Sequence, residues 1–443
     1  MKPKKIKLLT VASLIVITVV MSVLSMNLSL RPEESEKEKR KLASFPRFSV
    51  SAFFSGEYFN EISLWFSDTI PFREQIIDVN NGVQTILGTN APQRGFQENT
   101  KNEIPDTAEQ PPATLPTITE ASQQPGSPSE TSELQTEAVI PSDAGEMPSH
   151  VETIDSILIA GNAGYEYYNF SEKVANNYAA AVNTVSSRLA GKATVYDMIV
   201  PTSMDIVLDT RVREKVSSDD QRKAISYIEN LLLPEVRRVS IFDTLIAHRS
   251  EYIYFRTDHH WSGLGAYYAY AQYCGVKGVQ PYGLESCAVQ SFDGFLGTFA
   301  DKDPSLASDP DVVYTFSPPG DYKITIRDKK LNVDEGSVFY DESNASASLK
   351  YGTFIWGDNA YSVIEDKAKA TGESCLLVKE SFGNALAPLL AANYKYLYII
   401  DYRHYSGSIC SLVEEKKITD VVFCNNISMT RSQSLIDQLI ARM

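Results

Sequence analysis

"SCLLVKESFGNALAPLLAAN", residues 374–393, decides the fold. An apolar run from Cys375 to Val378 is the right length for one buried strand. It breaks at Lys379–Glu380–Ser381 and passes at once into a stretch of Ala and Leu helix formers. A strand that ends in a serine and turns into a helix puts that serine at the carboxyl edge of a sheet, where open α/β sheets collect their functional groups. Strand, serine and helix in this order is also the geometry of serine hydrolases, although no G-x-S-x-G is present. The backbone N–H groups of Phe382 and Gly383 would lie at a helix N-terminus, where developing negative charge is favoured. The competing reading is that Ser381 only caps the helix.

The neighbouring segments repeat the alternation. Downstream, "KYLYIID" (395–401) reads as a strand, "SICSLVEEK" (408–416) as a helix and "DVVFCN" (420–425) as a strand. Upstream, "SILIAG" (156–161) and "ATVYDMIVP" (193–201) read as strands. The helix "SEKVANNYAAAVNTVSSRLA" (171–190) lies between them, with Ser171 as a possible cap. A helix at 217–236, short strands "VSIFDT" (239–244) and "EYIYFR" (251–256), and a helix at 263–274 follow. The pattern predicts an α/β fold, a parallel sheet with helices on both faces. Residues 288–351, rich in short β-like pieces and turns, read as an inserted β-rich region.

Before this domain, which spans 151–443, the chain changes character three times. Residues 1–7 carry Lys2, Lys4, Lys5 and Lys7, and residues 8–30 carry no charge. That length of apolar chain spans a bilayer, and the lysines would hold residues 1–7 on the cytoplasmic side. We therefore expect a single-pass signal anchor in the cell membrane with everything after it extracellular; a cleaved signal peptide is the rival reading. Residues 31–97 form a juxtamembrane segment in which Phe54, Tyr58, Ile62, Trp65 and Phe66 recur at helical spacing, an apolar stripe expected to pack on the following domain. Residues 98–150 are rich in Pro, Ser, Thr, Glu and Gln and read as a disordered linker. Ten acidic residues and one lysine there account for most of the chain's net charge of −15. With no basic run beyond the N-terminus, nucleic acid is excluded as a partner. Five cysteines without a C-x-x-C exclude a zinc ribbon; Cys375 and Cys424 read as buried, and Cys274 with Cys287 is a possible pair.

A second polar cluster lies at residues 257–261, "TDHHW", between a short strand and a helix. In an extended stretch Asp258 and His260 point one way and His259 the other. A carboxylate beside an imidazole orients it and stabilises its charged form, as a general base requires. Structural histidines are the plain alternative. Metal-dependent phosphoester chemistry is another, but it needs further Asp and His ligands, and His150, His248 and His404 lie in unrelated contexts.

"TDHHWSGLGAYYAY" (257–270) resembles the signature of the DHHW proteins of Gram-positive bacteria, relatives of the alginate O-acetyltransferases with an SGNH-hydrolase-like domain. "LASFPRFSVSAFFSGEYFNEISLWFSDTIPFRE", with its D-x-x-P-x-R at Asp68, Pro71 and Arg73, resembles the family's N-terminal segment. "KESFGNALAPLLAANYKYLYIIDYRHY" resembles its nucleophile block, and "ITDVVFCNN" its last strand. The resemblance implies an SGNH-like, flavodoxin-like fold and a triad of Ser381, His260 and Asp258, with Asp-His preceding Ser in the chain. Glu380 departs from the Asp that the family often carries there. Asn359 in "WGDNA" is a candidate oxyanion donor; Tyr402 and Arg403 would line the cleft, with packing or a surface salt bridge as the alternative. The activity implied is transfer of an acetyl group to a secreted or cell-wall polysaccharide, or its hydrolysis as an acetylesterase. Donor acetyl groups would arrive through a membrane-bound O-acyltransferase, and no cofactor or metal is expected. The alternative is a non-catalytic envelope protein that binds glycan or a partner.

Overall fold

The computed structural model describes residues 157–327 and 333–443, residues 151–154, and isolated earlier positions (34–35, 40–41, 45, 58, 62, 65, 69, 104–105, 148 and 150). Two units, 1–92 and 93–443, are distinguished. In the first, Glu34–Ser35 pairs antiparallel with Arg40–Lys41. Tyr58, Ile62 and Trp65 are helical, as their spacing predicts, and Trp65 meets Phe45 edge-on at 4.8 Å. Phe54 and Phe66, the expected anchor at 8–30 and nearly all of the expected linker lie outside the described residues. No described helix is long and apolar enough to cross a membrane.

The second unit opens with an antiparallel meander of β1 (Val151–Ile154), β2 (Ile157–Ala160) and β3 (Ala163–Glu166). "SILIAG" is thus a strand, but of this small sheet and not of the parallel one. The chain continues through α1 (Glu172–Arg188), β4 (Thr194–Val200), α2 (Gln221–Leu231), β5 (Arg237–Arg238) and α3 (Gly263–Lys277). The inserted region supplies the hairpin β6 (Ala288–Phe295) and β7 (Asp311–Ser317), then β8 (Tyr322–Arg327) and β9 (Val333–Gly336). Last come β10 (Tyr361–Asp366), β11 (Ser374–Lys379), α4 (Gly383–Ala391), β12 (Tyr396–Asp401), α5 (Ile409–Lys416), β13 (Asp420–Asn426) and α6 (Gln433–Ile440).

The main sheet has eight strands in the order β9-β8-β10-β12-β11-β13-β4-β5. From β12 to β5 it is parallel; the pairs β12–β10, β10–β8 and β8–β9 are antiparallel. The fully parallel sheet expected from sequence is therefore corrected to a mixed one. Burial explains the division. Every residue of β11 and β13 is buried, the mark of a strand covered on both faces, whereas β10 alternates buried and half-buried residues. Side chains of β11 alternate between two cores: Cys375 and Leu377 join α3 and α4, while Leu376 and Val378 join α1, α2, α5 and α6.

Other local readings are corrected by capping and by bends. Ser171 is extended ahead of α1 but makes no side-chain cap, whereas Asp220 and Ser262 cap α2 and α3 through Lys223 and Gly265 N–H. "VSIFDT" runs into a helix at Phe242–Ala247, and "EYIYFR" makes only the single bridge Tyr254–Trp261. Cys375 and Cys424 are buried, and Cys274 and Cys287 are free thiols, not a pair.

Candidate active site

Ser381 stands where β11 ends and α4 is about to begin. Gly383 makes this turn possible, since a Cβ there would lie 2.5 Å from Lys379 Cβ. On the other side, residues 257–261 form a bend beyond Tyr254. Trp261 is fully buried, and its indole N–H donates to Phe382 O at 2.9 Å, tying the bend to the serine turn. Asp311, also fully buried, accepts from the backbone N–H of Arg256 (3.0 Å) and Thr257 (2.7 Å), from Thr257 Oγ1 (2.6 Å) and from Tyr252 Oη (2.6 Å).

These supports bring three polar groups into line. Ser381 Oγ lies 2.7 Å from His260 Nε2, and His260 Nδ1 lies 2.5 Å from Asp258 Oδ1. The other carboxylate oxygen, Oδ2, accepts from Thr298 N–H at 2.8 Å and Thr298 Oγ1 at 3.2 Å. Tyr351 stacks on the His260 ring at 4.1 Å and donates through its hydroxyl to Ser381 O at 3.0 Å. A carboxylate held on Nδ1 fixes the imidazole tautomer that leaves Nε2 free to accept the serine proton.

His259 is not turned away as an extended strand would require. The bend sets its ring 3.9 Å from that of His260, with Nδ1 2.9 Å from Thr298 Oγ1. Burial and the neighbouring His260 hold its pKa below the usual histidine value. Asp258, His259 and His260 offer ligand atoms within 4.8 Å of one another, so a metal would have to compete with the Asp258–His260–Ser381 chain of hydrogen bonds.

The expected oxyanion donors are otherwise engaged. Phe382 N–H points at Glu380 Oε2 (3.3 Å) and Gly383 N–H at Glu380 O (3.0 Å). Asn359 spends its amide on Ile355 O (3.3 Å) and Trp356 O (3.1 Å), inside a turn where Ile355 and Trp356 have φ of 49° and 63°. Tyr402 is fully buried in the second core with its hydroxyl 3.9 Å from Met429 Sδ, so it does not line a cleft. Arg403 donates to Asp401 Oδ2 (2.6 Å) and Asp358 Oδ2 (2.8 Å), the salt-bridge alternative of the sequence reading.

Those contacts belong to an ionic network that runs from the buried Lys379 and Asp401 out to Asp358 and Arg403, which reach solvent. Lys379, with no exposure, lies 3.0 Å from Asp358 and 3.1 Å from Asp401, and Asn384 Nδ2 donates to Asp358 at 2.9 Å. Burial would raise the Asp358 pKa, but Lys379 and Arg403 overcome it and hold the carboxylate well below its ordinary value. Lys379→Met leaves the buried Asp401, and an Asp358 that reaches solvent, to one guanidinium and should cost about 3 kcal/mol, read from the denaturant midpoint.

Sequence reasoning missed Thr298, Gly297, Tyr351 and Asp311, which the inserted region contributes. At Gly297 a Cβ would fall 2.1 Å from Asp258 Cβ, so only glycine lets Thr298 reach the carboxylate. Gly297→Ala should leave a folded protein whose turnover of an activated ester is about 10²-fold lower, since small displacements of reacting groups carry that cost. Equal turnover, with melting unchanged, would contradict it.

Fold and site together define an α/β protein with a Ser-His-Asp constellation at the carboxyl edge of its sheet. The chain belongs to the DHHW family: the family model described as "DHHW protein" matches residues 38–110 and 132–400. A DHHW family protein from Eubacterium siraeum is 28% identical, with TM-score 0.60 over 66% of this chain and 98% of that one. Bacillus cereus PatB1, solved with a sulfonyl adduct, is 17% identical, with TM-score 0.53 over 63% of this chain and 97% of its own. The O-acetyltransferase domain of Pseudomonas putida AlgJ is 12% identical, with TM-score 0.34, covering 65% of this chain and 96% of that one. No curated protein matches the chain.

Proposed function

We propose that the protein is an acyl-transferring enzyme in which Ser381 takes an acetyl group from a donor and passes it to a hydroxyl of a secreted or cell-wall polysaccharide. The observation that carries this reading is the unbroken chain Asp258 Oδ1–His260 Nδ1 and His260 Nε2–Ser381 Oγ, at 2.5 and 2.7 Å. His260 takes the serine proton as Oγ attacks the acyl carbon, then returns it to the leaving group. In the second half it takes the proton of the incoming sugar hydroxyl as that oxygen attacks the acyl carbon, then returns it to Ser381 Oγ as the acyl–serine bond breaks, and Asp258 stabilises the imidazolium each time. The acetyl group and the sugar acceptor follow from the family resemblance. Hydrolysis is the same path with water as acceptor. Membrane anchorage through residues 8–30, an extracellular catalytic unit and supply of acetyl groups by a membrane-bound O-acyltransferase complete the proposal.

The test is acetyl transfer by the full chain in detergent, from an aryl acetate to cell-wall oligosaccharides, followed by mass spectrometry of the sugars. Acetylated oligosaccharide, formed by wild type and not by Ser381→Ala, is the expected result. Aryl acetate turned over with no sugar ester formed would restrict the protein to ester hydrolysis. No turnover of any ester would sink the reading.

A further inference from the structure

Glu380 is a buried carboxyl placed directly against the nucleophile, 7% exposed. Its Oε2 lies 3.2 Å from Ser381 Oγ and accepts from Phe382 N–H at 3.3 Å; its Oε1 accepts from Asn426 N–H, at the end of β13, at 2.9 Å. The serine oxygen carries one proton and faces two acceptors, His260 Nε2 at 2.7 Å and Glu380 Oε2. The Phe382 N–H that would receive an acyl oxygen is already given to the same carboxyl.

We infer that Glu380 is a positioning residue that gates the nucleophile: ionised, it competes with His260 for the Ser381 proton and with the acyl oxygen for Phe382 N–H; neutral, it hands both over. The inference rests on the triad proposed above. In the neutral form Oε2–H donates to Ser381 Oγ, so the serine proton has only His260 Nε2 to go to. As Oγ attacks, the Oγ–H bond breaks toward Nε2, the Oγ–acyl bond forms, and the carbonyl π pair moves onto oxygen. An uncharged Glu380 does not repel that oxygen; a carboxylate 3.2 Å from Oγ does.

Surroundings favour this assignment. Burial raises the Glu380 pKa above the ordinary glutamate value, against the lowering by Arg403 and by the N–H groups of Asn426 and Phe382, with Asp358 adding to the rise. His259, Tyr351, Tyr402 and Cys424 are the other titratable groups whose charge Glu380 feels.

The test is the pH dependence of covalent modification of Ser381 by an aryl sulfonyl fluoride, followed by intact mass on the full chain in detergent. It reads nucleophilicity without reference to any sugar. In wild type the rate should fall as Glu380 ionises, the falling limb tending to about tenfold per pH unit. Glu380→Gln, always neutral and still able to donate to Oγ, should lose the falling limb. Its rate above the pH of that fall should then exceed that of wild type. Glu380→Asp, which keeps an ionisable group, should keep the falling limb. A wild-type profile retained by Glu380→Gln overturns the inference and leaves the triad standing. A Gln variant that folds but reacts more slowly at every pH also overturns it. If that variant does not fold, wild type decides: no falling limb below the pH at which the protein unfolds overturns the inference. No sulfonylation of wild type at any pH overturns both the inference and the triad.

Discussion

Ser381→Ala is expected to lower kcat/KM for aryl acetate hydrolysis by about 10⁴- to 10⁶-fold, with chelators having no effect on the wild type. Ser381 carries the hydroxyl held by the His260 ring nitrogen, and its neighbours have other engagements. Thr298 Oγ1 is spent on His259 and Asp258, and Tyr351 donates to Ser381 O. With the oxygen gone, His260 has no proton to take, and an activated ester meets only the background reaction with water. The fold should survive. The hydroxyl's contacts are with His260 and Glu380, and losing a hydrogen bond of this kind costs about 1 kcal/mol. A melting temperature within a few degrees of wild type, beside lost turnover, separates chemistry from unfolding. Activity that survives Ser381→Ala but disappears with chelator would transfer the site to a metal at Asp258 and His259.

Asp258→Asn should cost about 10⁴-fold, chiefly in kcat. Thr298 decides the outcome, because it holds one side-chain oxygen with two donors, N–H at 2.8 Å and Oγ1 at 3.2 Å, against the single His260 N–H at 3.1 Å on the other. An amide placed here turns its oxygen toward those donors, which points its NH₂ group at His260 Nδ1. The imidazole must then accept at Nδ1 and carry its proton on Nε2, where it faces Ser381 Oγ as a donor and cannot act as base. Geometry is retained while the tautomer is wrong. Substrate affinity should change little, and a Gly297→Ala background should add less than its own separate effect, since both act through the same carboxylate.

The three hydrogen-bonded groups Asp258, His260 and Ser381 were legible in the sequence because each carries a local signal. Ser381 sits between a buried apolar strand and a helix, and Asp258 and His260 fall in a dense polar cluster beside a tryptophan. Orientation was not legible. Alternation in an extended strand predicts His259 on the far side, but the bend at 257–261 sets both rings together. The supports of Asp258 were hidden for a different reason. Thr298 and Asp311 reach the cluster across 40 and 54 residues, and nothing in a glycine–threonine pair or a loop aspartate announces a partner that distant. Arg403 read as a cleft residue because it follows a strand, and Asn359 as an oxyanion donor because "WGDNA" offers its amide. Instead one closes an ion network with Asp358 and Asp401, and the other satisfies carbonyls of a left-handed turn. The mixed character of the sheet escaped notice because β10, "YSVIED", is short, alternates buried with half-buried residues and lacks a run of apolar side chains.

Central to this account is an acyl group carried on Ser381. The most direct measurement is intact mass spectrometry of the full chain, quenched seconds after mixing with an aryl acetate, followed by peptide mapping. The account predicts a mass gain of one acetyl group on the peptide holding Ser381 in wild type. It predicts accumulation when acceptor is withheld and no gain in Ser381→Ala. Ester turnover by wild type with no acetylated peptide at any time point, or with the acetyl group on another residue, would contradict it.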